Sequence, residues 1–521
     1  MRQEMAVGEE HGTADVLDVA VVGGGIAGLA AAKELLEAGL TVAVFEESAV
    51  FGGKAANRTE WVQTPEGPDR WWRWVSRLEQ GVRSAGGRLY ADTPVLGLEE
   101  GPEGWRLAVL MGGDVEEVSA QSVIVAAGAR GQGLLFPGWA KPGVITADAA
   151  RRMIFRDRVL PGRQAVVVGA VDEALWTARE LKLAGATEVT VVRADHPVEE
   201  IEGVAELLKG YAERWPEGTR DALSERSLSE IPGDIHVEID WVMGAATGTS
   251  GVETVTLVNQ ATGQVRTLQA DLVVLAHGRI PAVELVQLAG VRFGYAEALG
   301  GWVPICGPDM QTTQPGLYVA GGTAGADTTT AEWLSGRLAG TAVARRLRPE
   351  KGVDDDSVER LIVAWSRASG PVRAGARLRL ATASECPDSA PLSNVWSEEG
   401  LSANGRAGVY SFGKRSVEPW TVVCRCEDVT VGDVVTAVEQ GARSPDDVKR
   451  LTRCGMGLCQ ARECRSLVAE VMSQALGKPV DEIPLPNVRF PVRPVLLEFL
   501  AGADAGDGTV RSVLSEVKED D

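Results

Sequence analysis

The chain has 521 residues, 45% of them hydrophobic, which is enough apolar surface for two or three cores. Lys+Arg number 52 against Asp+Glu 73, a formal net charge of -21. Nucleic acids and anionic membranes both call for a basic footprint, so neither is expected as a partner, and no apolar run reaches the length of a membrane span.

Residues 1–14 carry neither the basic nor the apolar region of a signal peptide and read as a disordered lead into a cytoplasmic protein. "LDVAVV" then reads as a buried strand, "GGGIAGLAAAKELLEAG" as a Gly-rich turn opening a helix, and "LTVAVFEE" as the next strand. Gly23-x-Gly25-x-x-Gly28, with Ile26 and Ala27 inside it, permits a tight turn and lets backbone N–H groups approach a diphosphate at the helix N-terminus. Glu46, at the end of the second strand, stands where a carboxylate accepts hydrogen bonds from adenosine ribose hydroxyls.

"DRWWRWV" interleaves aromatics with Arg, but Trp71, Trp74, Val75 and Leu78 recur at helical spacing and are expected to face a core. "SVIVAAGA", ending in Ala127 and Gly128, reads as a further strand. A second strand–helix–strand unit spans 163–194. It keeps Gly169 but has Val171 and Ala174 where glycines would let a diphosphate approach, with Asp172 and Glu173 adding negative charge. NAD(P) is therefore expected to bind poorly there. Strand signals return at "ADLVVLAHGR" and "GLYVAGG", followed by a helix at "TTAEWLSGRLAGTAVARRL". Strands alternating with helices predict an α/β fold with parallel sheets.

Residues 351–416 lose this periodicity and read as a linker with a partly ordered excursion, 417–480 as a small, mainly helical module, 481–502 as an extended strap, and 503–521 as a disordered acidic tail. Five of the seven cysteines fall between 424 and 464, and the first 300 residues have none. In a reducing compartment such clustering points to a metal or redox site rather than a disulfide framework. Four thiolates hold a [2Fe–2S] cluster. Cys424 and Cys426 straddle Arg425, and a second pair must come from Cys454, Cys459 and Cys464. "CQARECRSLVAEVMSQAL" reads as a helix whose first turns carry Cys459 and Cys464. Thiolate-only zinc sites use two Cys-x-x-Cys knuckles, and this chain has none.

Taken with "FGGKA" (Gly53, Lys54) and "QPGLYVAGG" (Gly321, Gly322), the first Gly motif resembles that of two-dinucleotide-binding-domain flavoproteins of the pyridine nucleotide-disulfide oxidoreductase type. The resemblance implies FAD in a Rossmann-like domain formed by 15–135 and 265–350, and a degenerate NAD(P)-like domain at 136–264. The family usually has Asp after the late "AG"; here Gly322 stands there, leaving Asp327 or backbone to replace it. The redox cysteines of the disulfide-reductase branch are missing from both places where that branch carries them.

"VCRCEDVT…DVKRLTRCGMGLCQAREC" resembles the bacterioferritin-associated-ferredoxin type of [2Fe–2S] domain. That likeness implies Cys424, Cys426, Cys459 and Cys464 as ligands, Cys454 as an extra thiol, and Ala461 in place of a usual Gly. From about 15 to 502 the chain resembles the large flavoprotein subunit of opine oxidases, whose relatives serve hydrogen cyanide synthase and dye-linked proline dehydrogenases. This implies an electron-transfer subunit carrying FAD and a [2Fe–2S] cluster in a hetero-oligomer. A glycine-oxidase-like FAD subunit is its expected partner, joined by a small ferredoxin-like subunit. No catalytic residue is identified. A self-contained NAD(P)H:acceptor reductase and a non-catalytic redox scaffold stay open as alternatives.

Overall fold

The strand Leu17–Val22 is buried along its whole length because it lies inside a seven-stranded sheet. It pairs in parallel with Val42–Phe45 on one side and Asp114–Val125 on the other. Arg88–Tyr90 extends the sheet at one edge, Gly104–Met111 and Val95–Gly101 continue it antiparallel at the other, and Leu317–Val319 pairs in parallel with Asp114–Val125. Helices cover the central strands, which accounts for their unbroken apolar runs. The computed structural model describes residues 16–64, 66–169, 171–193, 232–238, 241–259, 261–325, 328–351, 355–370, 373–377, 380 and 417–502.

The helix Ile26–Glu37 packs against Thr329–Leu347 at backbone distance. A Cβ on Gly336 would stand 2.1 Å from the Ala27 carbonyl oxygen, and one on Gly340 2.7 Å from that of Ala31. Trp71–Ser84 is a helix that buries Trp71, Trp74, Val75, Leu78 and Val82, the face expected from spacing. A second, all-parallel sheet runs Val144–Thr146, Leu272–Ala276, Gln164–Gly169, Glu188–Arg193, His236–Glu238. A three-stranded antiparallel sheet (Trp241–Thr247, Thr254–Asn259, Val265–Gln269) accompanies it.

Three features differ from the sequence expectation. The linker begins with a helix, Asp355–Ser369, whose Trp365 is buried in the first core; its charged run hid that face. The cysteine module, built on Val431–Glu439, Pro445–Thr452 and Arg465–Leu476, has no separate core. Its Val423, Val434, Val468 and Met472 join Phe136, Trp139, Val166 and Val273 of the second domain in one cluster. The strap is pinned where Val492 N–H donates to the Leu96 carbonyl at 2.9 Å, and it ends in a short helix, Leu497–Gly502. The expectations for 1–14 and 503–521, most of the linker and Asp327 fall outside the described residues.

Candidate functional site

Gly23 has φ 101°, and a Cβ there would stand 2.3 Å from the Ala126 carbonyl oxygen. A Cβ on Gly28 would stand 1.9 Å from the Gly23 oxygen, so both glycines are required by packing. Gly25, the N-cap of the first helix, is different: the nearest atom to its Cβ position is Gly53 Cα at 4.0 Å. The space left there opens at the helix N-terminus, where free N–H groups and the helix dipole favour an anion. Ile26 and Ala27 form the buried first turn below it.

Glu46 sits beneath this turn with both carboxylate oxygens engaged. Oε2 accepts from Gly24 N–H at 2.7 Å and Oε1 from Ser48 N–H at 2.9 Å. Burial raises its pKa, against these two hydrogen bonds. Glu46 thus braces the loop, and its remaining lone pairs are what it can offer a ribose.

The other sequence-derived nucleotide residues gather around the same opening. Gly52 N–H donates to the Gly24 carbonyl at 2.8 Å, which brings Gly53 to Gly25. Lys54 Nζ bonds the Asp148 carboxylate; burial lowers the Lys54 pKa while Asp148 opposes that shift. Ala127 and Gly128 follow the end of the central strand at Val125, and the Gly128 N–H donates to Thr323 Oγ1 at 3.1 Å. Gly321 N–H donates to Ser335 Oγ at 2.8 Å. At Gly322 a Cβ would stand 2.6 Å from Ala129 N, so the family's Asp has no room in this packing.

The second nucleotide unit is shaped by different forces. A Cβ on Gly169 would stand 2.0 Å from the Ala276 oxygen, so this glycine serves strand packing. Glu173, in the first turn of the helix Val171–Ala184, pairs with Arg151 and lies 3.6 Å from Arg58. Burial alone would raise the Glu173 pKa, but those guanidinium groups hold it well below the carboxylate range. Arg151 also bonds Glu180 at 2.6 Å, and Thr59 donates to Glu180 at 3.1 Å. Arg151 of the second domain, joined by Arg58 and Thr59 of the first, therefore shapes the charge environment around this helix. The side chains of Val171 and Asp172 lie outside the described set.

The cysteines form a nest. The sulfurs of Cys424, Cys454 and Cys464, all buried, lie within 4.8 Å of one another. Cys426 is exposed, Cys459 is half-buried, and the two share a hydrogen bond. Hydrogen bonds from Cys454 and Cys464, with the Gly455 and Glu427 amides, hold the Cys424 pKa down at about 2. The hydrogen bond to Cys424 leads in pushing Cys454 up to about 12. Three buried sulfurs so close together, with amides directed at one of them, are a donor set suited to a soft metal.

Sequence reading set Cys454 aside, yet the structure places it in the buried trio with Cys424 and Cys464. The signal available was Gly455, whose φ of 80° turns the chain so that its amide faces Cys424. The helix also starts later than its periodicity suggests, at Arg465, with Cys464 at the N-cap. Gln460 and Ala461 adopt left-handed φ values of 49° and 61°, which breaks the helix before it can reach Cys459.

An ion triad that sequence reading missed, with Glu284 and Arg465 buried and Arg130 half-buried, joins the nest to the nucleotide cradle. Arg130, two residues beyond Gly128, donates to both oxygens of Glu284 at 2.8 Å. Arg465, next to Cys464, donates to Glu284 at 3.1 Å and to the Pro281 carbonyl at 2.6 Å. Burial would raise the Glu284 pKa, but Arg130 and Arg465 hold it at about 2. On the other side, Arg425 stacks 4.0 Å from the Trp139 ring centroid and donates to the Trp139 carbonyl.

Residues 17–346 match the model of the pyridine nucleotide-disulphide oxidoreductase family, and the chain belongs to that family. Residues 419–504 match the sarcosine oxidase A3 domain. The chain is 29% identical over 515 residues to an opine oxidase subunit of Agrobacterium tumefaciens (strain Ach5), covering 94% of this chain and 92% of that one. It is 27% identical to hydrogen cyanide synthase subunit HcnB of Pseudomonas aeruginosa, covering 91% and 96%. Its fold is similar to that of L-proline dehydrogenase from P. horikoshii, with a TM-score of 0.65, 24% identity, and 94% and 81% of the two chains covered. No helix among the described residues is long and apolar enough to cross a membrane.

Proposed function

We propose that this member of the pyridine nucleotide-disulphide oxidoreductase family is the electron-transfer subunit of an amino-acid or opine dehydrogenase complex, carrying FAD and a [2Fe–2S] cluster. The observation that carries the reading is the Arg130–Glu284–Arg465 triad, which fixes a nucleotide cradle and a thiol nest to one another through buried charges. Gly25 leaves room for a diphosphate, the helix N-terminus supplies N–H donors, and Glu46 holds the loop in shape. Cys424, Cys426, Cys459 and Cys464 are the proposed ligands, with Cys454 the fifth thiol of the nest. When bound, flavin exchanges two electrons and an iron–sulfur cluster one, so the pair divides a hydride equivalent into single transfers.

The names of the relatives, subunits of opine oxidase and hydrogen cyanide synthase, support a hetero-oligomer. In this reading a second, glycine-oxidase-like FAD subunit oxidises the C–N bond. A small ferredoxin-like protein is the candidate onward carrier. Purified chain should contain FAD, with two irons and two sulfides per chain, and give a paramagnetic signal on one-electron reduction. A chain purified anaerobically without iron would overturn the cluster reading, and rapid flavin reduction by micromolar NADH would favour a self-contained reductase.

A further inference from the structure

The two nucleotide-type domains share no apolar core. The core of the first is built from 17–126, 283–344, Trp365 and Val492, and the cores of the second from 134–276, joined by 423–483; no buried cluster among the described residues mixes the two. Polar contacts cross the boundary instead, and residues 54–60 supply a row of them. Lys54 Nζ bonds the Asp148 carboxylate. Arg58 lies 3.6 Å from Glu173, and Arg151 lies 3.7 Å from Glu60. Thr59 Oγ1 donates to Glu180 at 3.1 Å and accepts from Arg179 at 3.1 Å. The partners stand on two helices of the second domain, Ala147–Phe155 and Val171–Ala184.

This segment begins at the cradle. Gly52 N–H is bonded to the Gly24 carbonyl, and a Cβ on Gly53 would stand 3.1 Å from Gly25 Cα, so a group filling the space at Gly25 lies against the start of the segment. Domains joined by a polar interface move relative to one another unless something fixes them. A group bound in the cradle orders the segment that carries these contacts, and a ligand that favours the docked arrangement shifts the population toward it. We propose that 54–60 is a coupling segment, through which filling the cradle and docking the second domain become one linked equilibrium. Thr59 and Glu173, which take part through side-chain contacts with the opposite domain, are then positioning residues for the bound nucleotide. The cysteine module shares the second domain's core, so docking sets its place as well.

The inference rests on the reading of the cradle as an FAD site. Linkage makes it reciprocal: the factor by which FAD tightens docking is the factor by which docking tightens FAD. Thr59→Val keeps the shape of the side chain and loses both hydrogen bonds. Glu173→Gln keeps the volume and loses the charge that faces Arg58 and Arg151. Each should weaken FAD binding about tenfold. Lys182→Met removes an ion pair internal to the second domain, with Asp234 at 2.7 Å, and should leave FAD affinity within about twofold of wild type.

The test is hydrogen exchange of the full-length chain, stripped of FAD and saturated with it, alongside FAD titration of the stripped protein, with the FAD content of wild type counted first. In wild type, FAD should slow exchange in Ala147–Phe155 and Val171–Ala184, and that protection should shrink in Thr59→Val and Glu173→Gln. The central strand Leu17–Val22 should exchange alike in variants and wild type. Unchanged FAD affinity in both variants, or equal exchange in the two helices with and without FAD, overturns the coupling alone. Faster exchange throughout the variants, Leu17–Val22 included, assigns the effect to general loss of stability and overturns it too. A wild-type chain that takes up no FAD overturns the cradle reading, and this inference with it.

Discussion

Gly457 lies so close to Cys426 that a Cβ on the glycine would fall 2.2 Å from the Cβ of the cysteine. The turn Met456–Gly457–Leu458 therefore rests directly on the Cys426 side-chain stem, and Gln460 N–H donates to the Gly457 oxygen at 2.9 Å. Gly457→Ala should push this turn off Cys426, costing about 1–3 kcal/mol. The expected outcome is loss of most of the iron with FAD content unchanged, read by metal analysis and absorbance. Full iron content in the variant would mean that the turn does not shape the cluster site.

At the cradle, Gly25 has open space in front of its Cβ position, so a side chain there meets ligand rather than protein. Gly25→Val should fold, since no atom lies closer than 4.0 Å, yet fail to retain FAD. Gly28→Ala should instead damage the fold, because its Cβ would meet the Gly23 oxygen at 1.9 Å. Comparing melting temperature and bound flavin in the two variants separates the roles; equal FAD retention in Gly25→Val and wild type would misplace the site.

The buried pairs at the second nucleotide unit should be structural. Arg151 is engaged by Glu173 and Glu180, and Arg151→Met leaves Glu180 without its ion partner and Glu173 with Arg58 at 3.6 Å. Breaking such a pair costs about 3–5 kcal/mol. A clear drop in melting temperature at pH 8 is expected, and a change of a degree or less would show that the network contributes nothing.

Glu470 supplies a pH dependence. Burial, with Glu297 adding repulsion, pushes its pKa up to about 7. Below pH about 4.5 both folded and unfolded states hold the proton, and the burial of Glu470 as a carboxylate has no cost. Between about 4.5 and 7 the unfolded state releases its proton first, so stability falls as pH rises, and above that the loss is complete. Glu470→Gln should raise the melting temperature at pH 8 and change it little at pH 4.5, by an amount on the order of 1–3 kcal/mol at the higher pH. An equal gain at both pH values would assign the effect to something other than this carboxyl.

Much of the fold could be read from the sequence because local pattern and tertiary role coincide there. Leu17–Val22 is apolar throughout since both sheet faces are covered, and Gly23 and Gly28 are fixed by contacts nearby in the chain or on the adjacent strand. What stayed hidden depends on distant partners. Nothing near Glu284 announces that Arg130 and Arg465 converge on it from 154 and 181 residues away. The shared core of the cysteine module and second domain is likewise invisible in the module's own pattern. Cys454 was obscured by its spacing, because left-handed turns at Arg453 and Gly455, on either side of it, bring its sulfur back to Cys424 and Cys464.

Whether this chain passes electrons onward or oxidises amino acids itself is decided by comparing it alone with its complex. The isolated 521-residue chain, loaded with FAD and iron, is assayed anaerobically with an artificial dye against N-alkyl amino acids, proline, hydroxyproline and glycine. The same assay is then run on the complex isolated from the native host. The expected result is no turnover by the chain alone, turnover of at least one substrate by the complex, and loss of that turnover with Cys464→Ser. Substantial oxidation of any of these substrates by the isolated chain would contradict it.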